Sequence, residues 1–401
     1  MQILMLSATF PYPPTRGGTQ VRTFNLLHYL SQRHNLTLIT QRAADVTDGE
    51  VAELKQVVAE LVVFPKPAQR SPSLSAKVQR FGQFLWEGTP PSVLSSYSPE
   101  MQDWVDQAVQ TQKFQVVTCE HSVNEIYVRP EWQQRLRTIV NIHSSVYGSC
   151  RNQLETGTSE NAWRDRLNLP LLSRYEQRYC AKFSRIVVTT EEDQRQIQAF
   201  HPTSQIAVIP NGVDFDRFPY RAADPGGQQI IFCGAMDNLA NIDAAKFLSL
   251  EILPLLHQHY PDATVQLVGA RPTPDVMALG DRPGITVTGQ VASMADYLHQ
   301  ATVCVVPMRT GFGIKNKTLE AMAAGTPVVG SDRGLEGLAI DGSTVPLRAL
   351  RADRAEDYVA QIIRLLENSQ LRQDISHNAR TFVEIEYTWD YAGQCYEQMM
   401  L

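Results

Sequence analysis

No stretch of this 401-residue chain is apolar for long enough to cross a bilayer as a helix. The opening Met1-Gln2-Ile3-Leu4-Met5-Leu6 lacks the basic start of a signal peptide and runs directly into a proline-bearing loop. Together these absences lead to the expectation of a cytoplasmic protein. Cysteine is sparse: six residues (Cys119, Cys150, Cys180, Cys233, Cys304 and Cys395) are scattered with no close pair, which argues against a zinc site or a disulfide framework. Cys233 and Cys304 stand in apolar, strand-like runs, where a free thiol behaves as a small hydrophobe. Basic charge is in deficit, with 36 Lys and Arg against 42 Asp and Glu, so no general nucleic-acid partner is expected. The opening strand is not followed by a close Gly-x-Gly-x-x-Gly, which disfavours a nicotinamide dehydrogenase. Repeats and low-complexity tracts are lacking too.

What is present is an ordinary globular composition, 43% hydrophobic and 19% charged, on a chain long enough for two cores. Short β-branched runs alternate with longer amphipathic ones, the pattern of βα units on parallel sheets. Strands are expected at Gln2–Ser7, Asn35–Thr40, Leu61–Phe64, Gln115–Cys119, Thr138–Ile142, Arg185–Thr189 and Ile206–Ile209. After a break they resume at Ile230–Cys233, Thr264–Val268, Ile285–Thr288, Thr302–Val306 and Pro327–Gly330. Helices are expected at Thr19–Gln32, Trp163–Lys182, Ile242–Gln258, Met294–Gln300 and Lys317–Ala324, and near Tyr387–Met400 at the end. Turn formers from Pro210-Asn211-Gly212 to Asp224-Pro225-Gly226-Gly227 place a linker near residues 212–227. The expected architecture is α/β, with two Rossmann-like domains. The first covers 1–216 and is rejoined by a terminal helix over 385–401; the second covers 217–384.

The motif richest in chemistry is Gly311-Phe312-Gly313-Ile314-Lys315-Asn316-Lys317-Thr318-Leu319-Glu320, which runs on through Gly325-Thr326-Pro327. A strand feeds a glycine loop, and the loop opens a helix. Glycines admit a phosphate close to the backbone, and free amides at a helix start are anion donors. Lys315 and Lys317 add positive charge, while Glu320, one turn in, suits the hydroxyls of a ribose. A plain βα loop with Gly325 as C-cap explains Gly325 and Pro327 but not two lysines at the strand ends, where such sheets bind ligands.

This block, with Ile209-Pro210-Asn211-Gly212-Val213-Asp214, resembles the retaining glycosyltransferase family four (glycosyl transferases group one). More narrowly it is similar to sugar transferases of exopolysaccharide-type gene clusters. The resemblance runs over nearly the whole chain. It implies a GT-B fold, two Rossmann-like domains facing a central cleft, with a nucleotide diphosphate held mainly by the second domain. It also implies no required metal or cofactor, and retention at the anomeric carbon. The donor would be a UDP- or GDP-sugar; the acceptor would be a glycan, a lipid-linked sugar or a small molecule. Gly313, Ile314, Lys315, Asn316, Lys317 and Thr318 would surround the diphosphate, with Gly234 at the end of the domain's first strand and Val291 against the base. In the first domain, Gly17 and Gly18 would line the cleft near the transferring sugar, and His121 would contact that sugar.

The chain also departs from the family. The first of two glutamates normally flanking the loop is replaced by Phe312, and two basic positions are Ala235 and Asn241. Lys315 and Lys317 are expected to replace the missing cations, since a buried diphosphate without counter-charge is costly. The rival expectations are a degenerate, non-catalytic GT-B-like scaffold and a nucleotide-sugar epimerase. Each first-domain residue also has an ordinary reading. Gly17-Gly18 suits a tight turn with Thr19 as helix cap, and Arg22 faces either cleft or solvent. His121, His143 and the flanking Glu120 and Glu125 could be structural. Between Gln69 and Gly88, basic and apolar residues alternate on a helix suited to packing on a sheet or to peripheral contact with the inner face of a membrane.

Overall fold

The computed structural model describes residues 1–67, 82, 84, 88–111, 114–159, 161–311 and 313–401. Phe312 lies outside the described residues, as does most of the Gln69–Gly88 segment on which the sequence placed an amphipathic helix.

Two compact units make up the chain: Met1–Pro210 with Ala392–Leu401, and Asn211–Tyr391. In the described residues of unit 1, seven strands form one sheet: β1 (Gln2–Ser7), β2 (Asn35–Arg42), β3 (Glu60–Pro65), β4 (Val116–Glu120), β5 (Arg137–Asn141), β6 (Arg185–Val188) and β7 (Gln205–Val208). Their order is β3-β2-β1-β4-β5-β6-β7, and every pairing is parallel. Unit 2 holds β8 (Gln229–Cys233), β9 (Thr264–Val268), β10 (Ile285–Gly289), β11 (Val303–Val306), β12 (Val328–Gly330) and β13 (Leu350–Arg351). These run β10-β9-β8-β11-β12-β13, again all parallel.

Both orders contain the doubly wound 3-2-1-4-5 core. A parallel sheet covered by helices on both faces requires apolar side chains on both, which is why β11 reads Val-Cys-Val-Val and is wholly buried. In each unit the strand order reverses beside its first strand, between β1 and β4 or between β8 and β11. In doubly wound sheets ligands bind outside the carboxyl ends of the strands at such a reversal. The residues after β1, β4, β8 and β11 are the ones the sequence motifs singled out.

The twelve strands expected from the sequence correspond to β1–β12 within two residues at each end. The two-residue β13 is too short to show a period. Four other details differ. The stretch expected as a linker, 212–227, is folded into unit 2: Val213 and Phe218 join its core, and buried Arg221 donates to the Ala301 carbonyl at 3.1 Å. The helix expected at Ile242–Gln258 is an α-segment Leu239–Phe247, a π-turn Leu248–Ile252 and a short α-segment Leu253–Leu256. Pro254 explains this, because it has no N–H to donate and its ring clashes with the preceding turn of a regular helix. The first helix begins at Gly18, ahead of Thr19, and runs to Ser31. The last helix, Trp389–Gln398, begins two residues after the expected Tyr387.

Candidate active site

In unit 2, β8 ends at Gly234 and β11 leads through Pro307 into the glycine loop. Gly311 and Gly313 both take positive φ, 99° and 73°, so the loop folds back on itself in a way an L-residue resists. The helix Asn316–Ala324 follows, with no side-chain cap at its start, and ends on left-handed Gly325. The Thr318 amide is taken by the Lys315 carbonyl at 2.9 Å, and a helix start of this kind can offer its remaining first amides to an anion.

Two lysines flank this helix start, and the fold uses them differently. Lys315 turns inward. Its Nζ donates to the Gly311 carbonyl at 3.3 Å, the Gly313 carbonyl at 2.5 Å and Glu336 Oε2 at 3.2 Å. Arg333 Nη1 lies 3.1 Å from the other oxygen of Glu336. Burial raises the Glu336 carboxyl pKa against the opposing pull of these two cations. Lys315 thus braces the loop from within.

Lys317 points toward the end of β8. Its Nζ donates to Asn241 Oδ1, lies 3.6 Å from Met308 Sδ and sits 4.6 Å from the centre of the Phe232 ring. Burial, aided by the neighbouring charge of Lys315, lowers its pKa to about 8. Gly234 makes this possible: a Cβ there would lie 2.7 Å from Asn241 Nδ2 and 3.1 Å from Lys317 Nζ.

Glu320 follows on the same helix, half-buried; burial raises its pKa, with Arg217 and Lys317 opposing. Other expected donor residues meet the site through backbone or not at all. Ile314 is buried in the core, and Thr318 Oγ1 donates to the Gly334 carbonyl at 2.8 Å. Asn316 Oδ1 accepts from Asn211 Nδ2 at 2.7 Å. Val291 follows β10 and packs, half-buried, against the unit 2 core. Arg271 is taken up by Asp237 at 2.6 Å.

Unit 1 carries a buried polar network behind the ends of β4 and β5. Glu120, 1% exposed, accepts from Tyr396 OH at 2.5 Å and from Asn141 Nδ2 at 2.8 Å. Arg22 donates through Nε to Asn141 Oδ1 at 3.1 Å and through Nη1 to the Pro210 carbonyl at 3.3 Å. Burial draws the Arg22 pKa down to about 10, and the Glu120 charge works against that. Arg22 therefore faces the interior, neither of the positions the sequence suggested.

Immediately after Glu120, His121 takes φ 79°, ψ 141°, a region nearly reserved for glycine. Such strain persists only where surrounding structure imposes it, and the His121 amide is fixed by donating to the Asn141 carbonyl at 3.0 Å. Nδ1 accepts from the Val123 amide at 3.4 Å, which leaves the proton on Nε2. The His143 ring stands edge-on at 5.3 Å, with its Nε2 3.7 Å from Glu120 Oε2. Burial, reinforced by His143, depresses the His121 pKa to about 3, so the imidazole is neutral. Gly17 is the N-cap of the first helix and Gly18 its first residue, in the loop region after β1.

Sequence reasoning missed Glu336, Arg217, Asn141 and Tyr396. They belong to no motif and reach these clusters only through the fold. Among the described residues no group of three or more His, Cys, Asp or Glu is placed to hold a metal ion.

Residues 16–217 match the family model described as Glycosyltransferase Family 4, and residues 227–368 match the one described as Glycosyl transferases group 1. Phosphatidyl-myo-inositol mannosyltransferase of Mycolicibacterium smegmatis is 31% identical over 214 residues, which are 51% of this chain and 53% of that protein. Glycogen synthase of Mycobacterium tuberculosis is 24% identical over 208 residues, 49% of each. The chain thus spans about half the length of the curated relatives it matches. Among solved structures, sucrose-phosphate synthase from Thermosynechococcus elongatus superposes with a TM-score of 0.70 at 18% identity, covering 100% of this chain and 98% of that one. Anabaena HepE in complex with UDP gives 0.66 at 14% identity, covering 100% and 99%. These likenesses are of fold, two Rossmann-like domains of the GT-B class.

Proposed function

The chain belongs to glycosyltransferase family 4, and from that premise we propose that it transfers a sugar from a nucleotide-diphosphate sugar to an acceptor hydroxyl, with retention at the anomeric carbon. The observation that carries this reading is the pairing of Lys317 with Asn241 beside Gly234. It sets an ammonium at the end of β8, next to a helix start with no side-chain cap and the positive-φ glycines 311 and 313. Such an arrangement suits a diphosphate, and Glu320, one turn along, suits the ribose hydroxyls.

In this proposal Lys317 and the helix amides stabilise charge growing on the leaving diphosphate, the largest single contribution expected in a reaction of this type. No metal is assigned to that role. The leaving phosphate oxygen accepts the acceptor proton as the new bond forms on the same face of the sugar. His121, neutral and with its proton on Nε2, donates to a sugar hydroxyl, and the Gly17-Gly18 backbone lies near the transferring group. The acceptor is left as a glycan, a lipid-linked sugar or a small molecule.

The test is a thermal-shift and calorimetric series with UDP, GDP and ADP, wild type against Lys317→Glu. UDP comes first because HepE was solved with it. Stabilisation by one nucleotide, lost in the variant, supports the donor site, and the anomeric configuration of the product then tests retention. A folded wild type indifferent to every nucleotide and nucleotide sugar would transfer the conclusion to a non-catalytic scaffold, the reading favoured by Ala235 and the inward-turned Lys315.

A further inference from the structure

The helix Ala162–Cys180 packs Tyr175, Tyr179 and Cys180 into the core of unit 1. Its opposite face is unusual. Trp163 is 78% exposed and Leu167, one turn on, 61% exposed. At about 100° per residue, Trp163, Leu167, Pro170 and Arg174 fall on one line along the helix, with Arg166 beside it. Arg166 and Arg174 are exposed and enter no ion pair among the described residues. The helix has two acidic side chains, and both point inward. Asp165 is 6% exposed and held by Ser159 and Arg164; Glu176 is fully buried and held by Ser145. A chain of net charge −6 therefore presents here a helix face with arginines, an indole and a leucine, and no carboxylate of its own.

A solvated helix face ordinarily mixes acids with bases and does not expose a tryptophan beside a leucine. We propose that this face docks on an anionic lipid surface, Trp163 and Leu167 entering the boundary between headgroups and acyl chains and Arg166 and Arg174 pairing with lipid phosphates. An indole carries an apolar body with a polar N–H, which suits that boundary, and arginine reaches back from it to phosphate oxygens. Charge complementarity selects an anionic over a zwitterionic surface. It also disfavours a second copy of this chain, because a two-fold pairing of this face would set its arginines against one another.

The inference stands apart from the transferase reading, since its test needs no donor. The purified full chain is sedimented with sucrose-loaded vesicles of phosphatidylcholine alone or mixed with phosphatidylglycerol. Wild type is expected to pellet with the anionic vesicles at low salt and to be released as salt rises. Each basic residue near an anionic surface contributes a factor of about five in partition, so Arg166→Glu/Arg174→Glu is expected to lose roughly 25-fold or more. Trp163→Ala/Leu167→Ala is expected to lose binding as well. These side chains are exposed, so both variants should melt as wild type does, which separates lost docking from lost folding. A wild type that stays in the supernatant, pellets equally with both vesicle types, or binds no better than the variants overturns the proposal. So does self-association that Trp163→Ala/Leu167→Ala abolishes in the absence of vesicle binding, which would give the face to a second copy.

Discussion

Asn241 grips Lys317: its Oδ1 accepts from the ammonium while its Nδ2 donates to the Ala235 carbonyl at 2.8 Å. Positions 235 and 241, where the resemblance leads one to expect cations, here form an amide relay that holds a cation from the helix Asn316–Ala324. In the transferase reading that borrowed ammonium meets the diphosphate. Lys317→Met should then weaken UDP binding by roughly 10- to 100-fold, the effect of one charged hydrogen bond worth about 1.5–3 kcal/mol. Asn241→Ala leaves the charge but frees its position, so a smaller loss is expected. Calorimetric titration measures both, and equal losses would show that the relay has no orienting role.

The pH response of the same lysine has two opposite parts. Its pKa is lowered to about 8 from an ordinary 10.5, chiefly by burial. Diphosphate affinity needs the charged form, so it should decline as pH rises through about 8 and recover on return. Stability of the unliganded chain moves the other way. Between those two values the unfolded state holds the extra proton, so the contribution of this group to stability increases as pH rises across the window. UDP titrations and melts at pH values either side of about 8, wild type against Lys317→Met, read both, and the variant should lose both trends.

Gly234→Ala tests whether close approach matters. The added methyl would press on Asn241 and Lys317, both ends of flexible side chains, and not on backbone. A small change in melting temperature with a loss of UDP affinity comparable to that of Lys317→Met is expected. A large stability loss with affinity intact would mean that Gly234 serves packing alone.

His121 separates backbone from side chain. Both His121→Ala and His121→Gly remove the imidazole, yet only glycine is at ease at φ 79°. The glycine variant should be the more stable of the two by about 1–2 kcal/mol, the scale of strain stored at such positions. Both should be poor in sugar transfer. Chemical denaturation and a transfer assay on the same proteins decide the matter.

Tyr396→Phe removes the hydroxyl that donates to buried Glu120. A buried carboxylate short of one donor costs about 1–3 kcal/mol, so unit 1 should melt several degrees lower. Adding Glu120→Gln to the Tyr396→Phe variant should give a partial rescue, since a neutral amide tolerates the missing donor better than a charge does. Melting curves of the single and double variants check this, and a double variant less stable than Tyr396→Phe alone would contradict it.

The elements most legible in the sequence were those with a strong period. Central strands announced themselves because a strand buried on both faces must be a largely apolar run, as β11 is, while the half-buried edge strands β3, β7 and β10 showed through their β-branched residues. The glycine loop and the lysines after it were legible for a similar reason: they are contiguous, and their chemistry is local. Residues 212–227 were misread because Pro, Asn and Gly mark turns whether or not a turn is packed, and Val213 and Phe218 show that this one is. The helix near Ile242 was foreseen, but its π-turn was not, since periodicity alone does not say how a helix absorbs Pro254.

Two parallel α/β sheets, the loops that leave their strand ends and the residue types on those loops could thus be read from the chain alone. Local propensity and side-chain period act over a few residues and need no partner. What each charge does was settled by folding: Lys315 turns to Glu336 and Lys317 to Asn241, and Glu120 is shared between Asn141 and a tyrosine 276 residues away. Two lysines two positions apart are alike as sequence. Desolvation and the acceptors that folding brings within reach make one a brace of the glycine loop and tie the other to Asn241 at the end of β8.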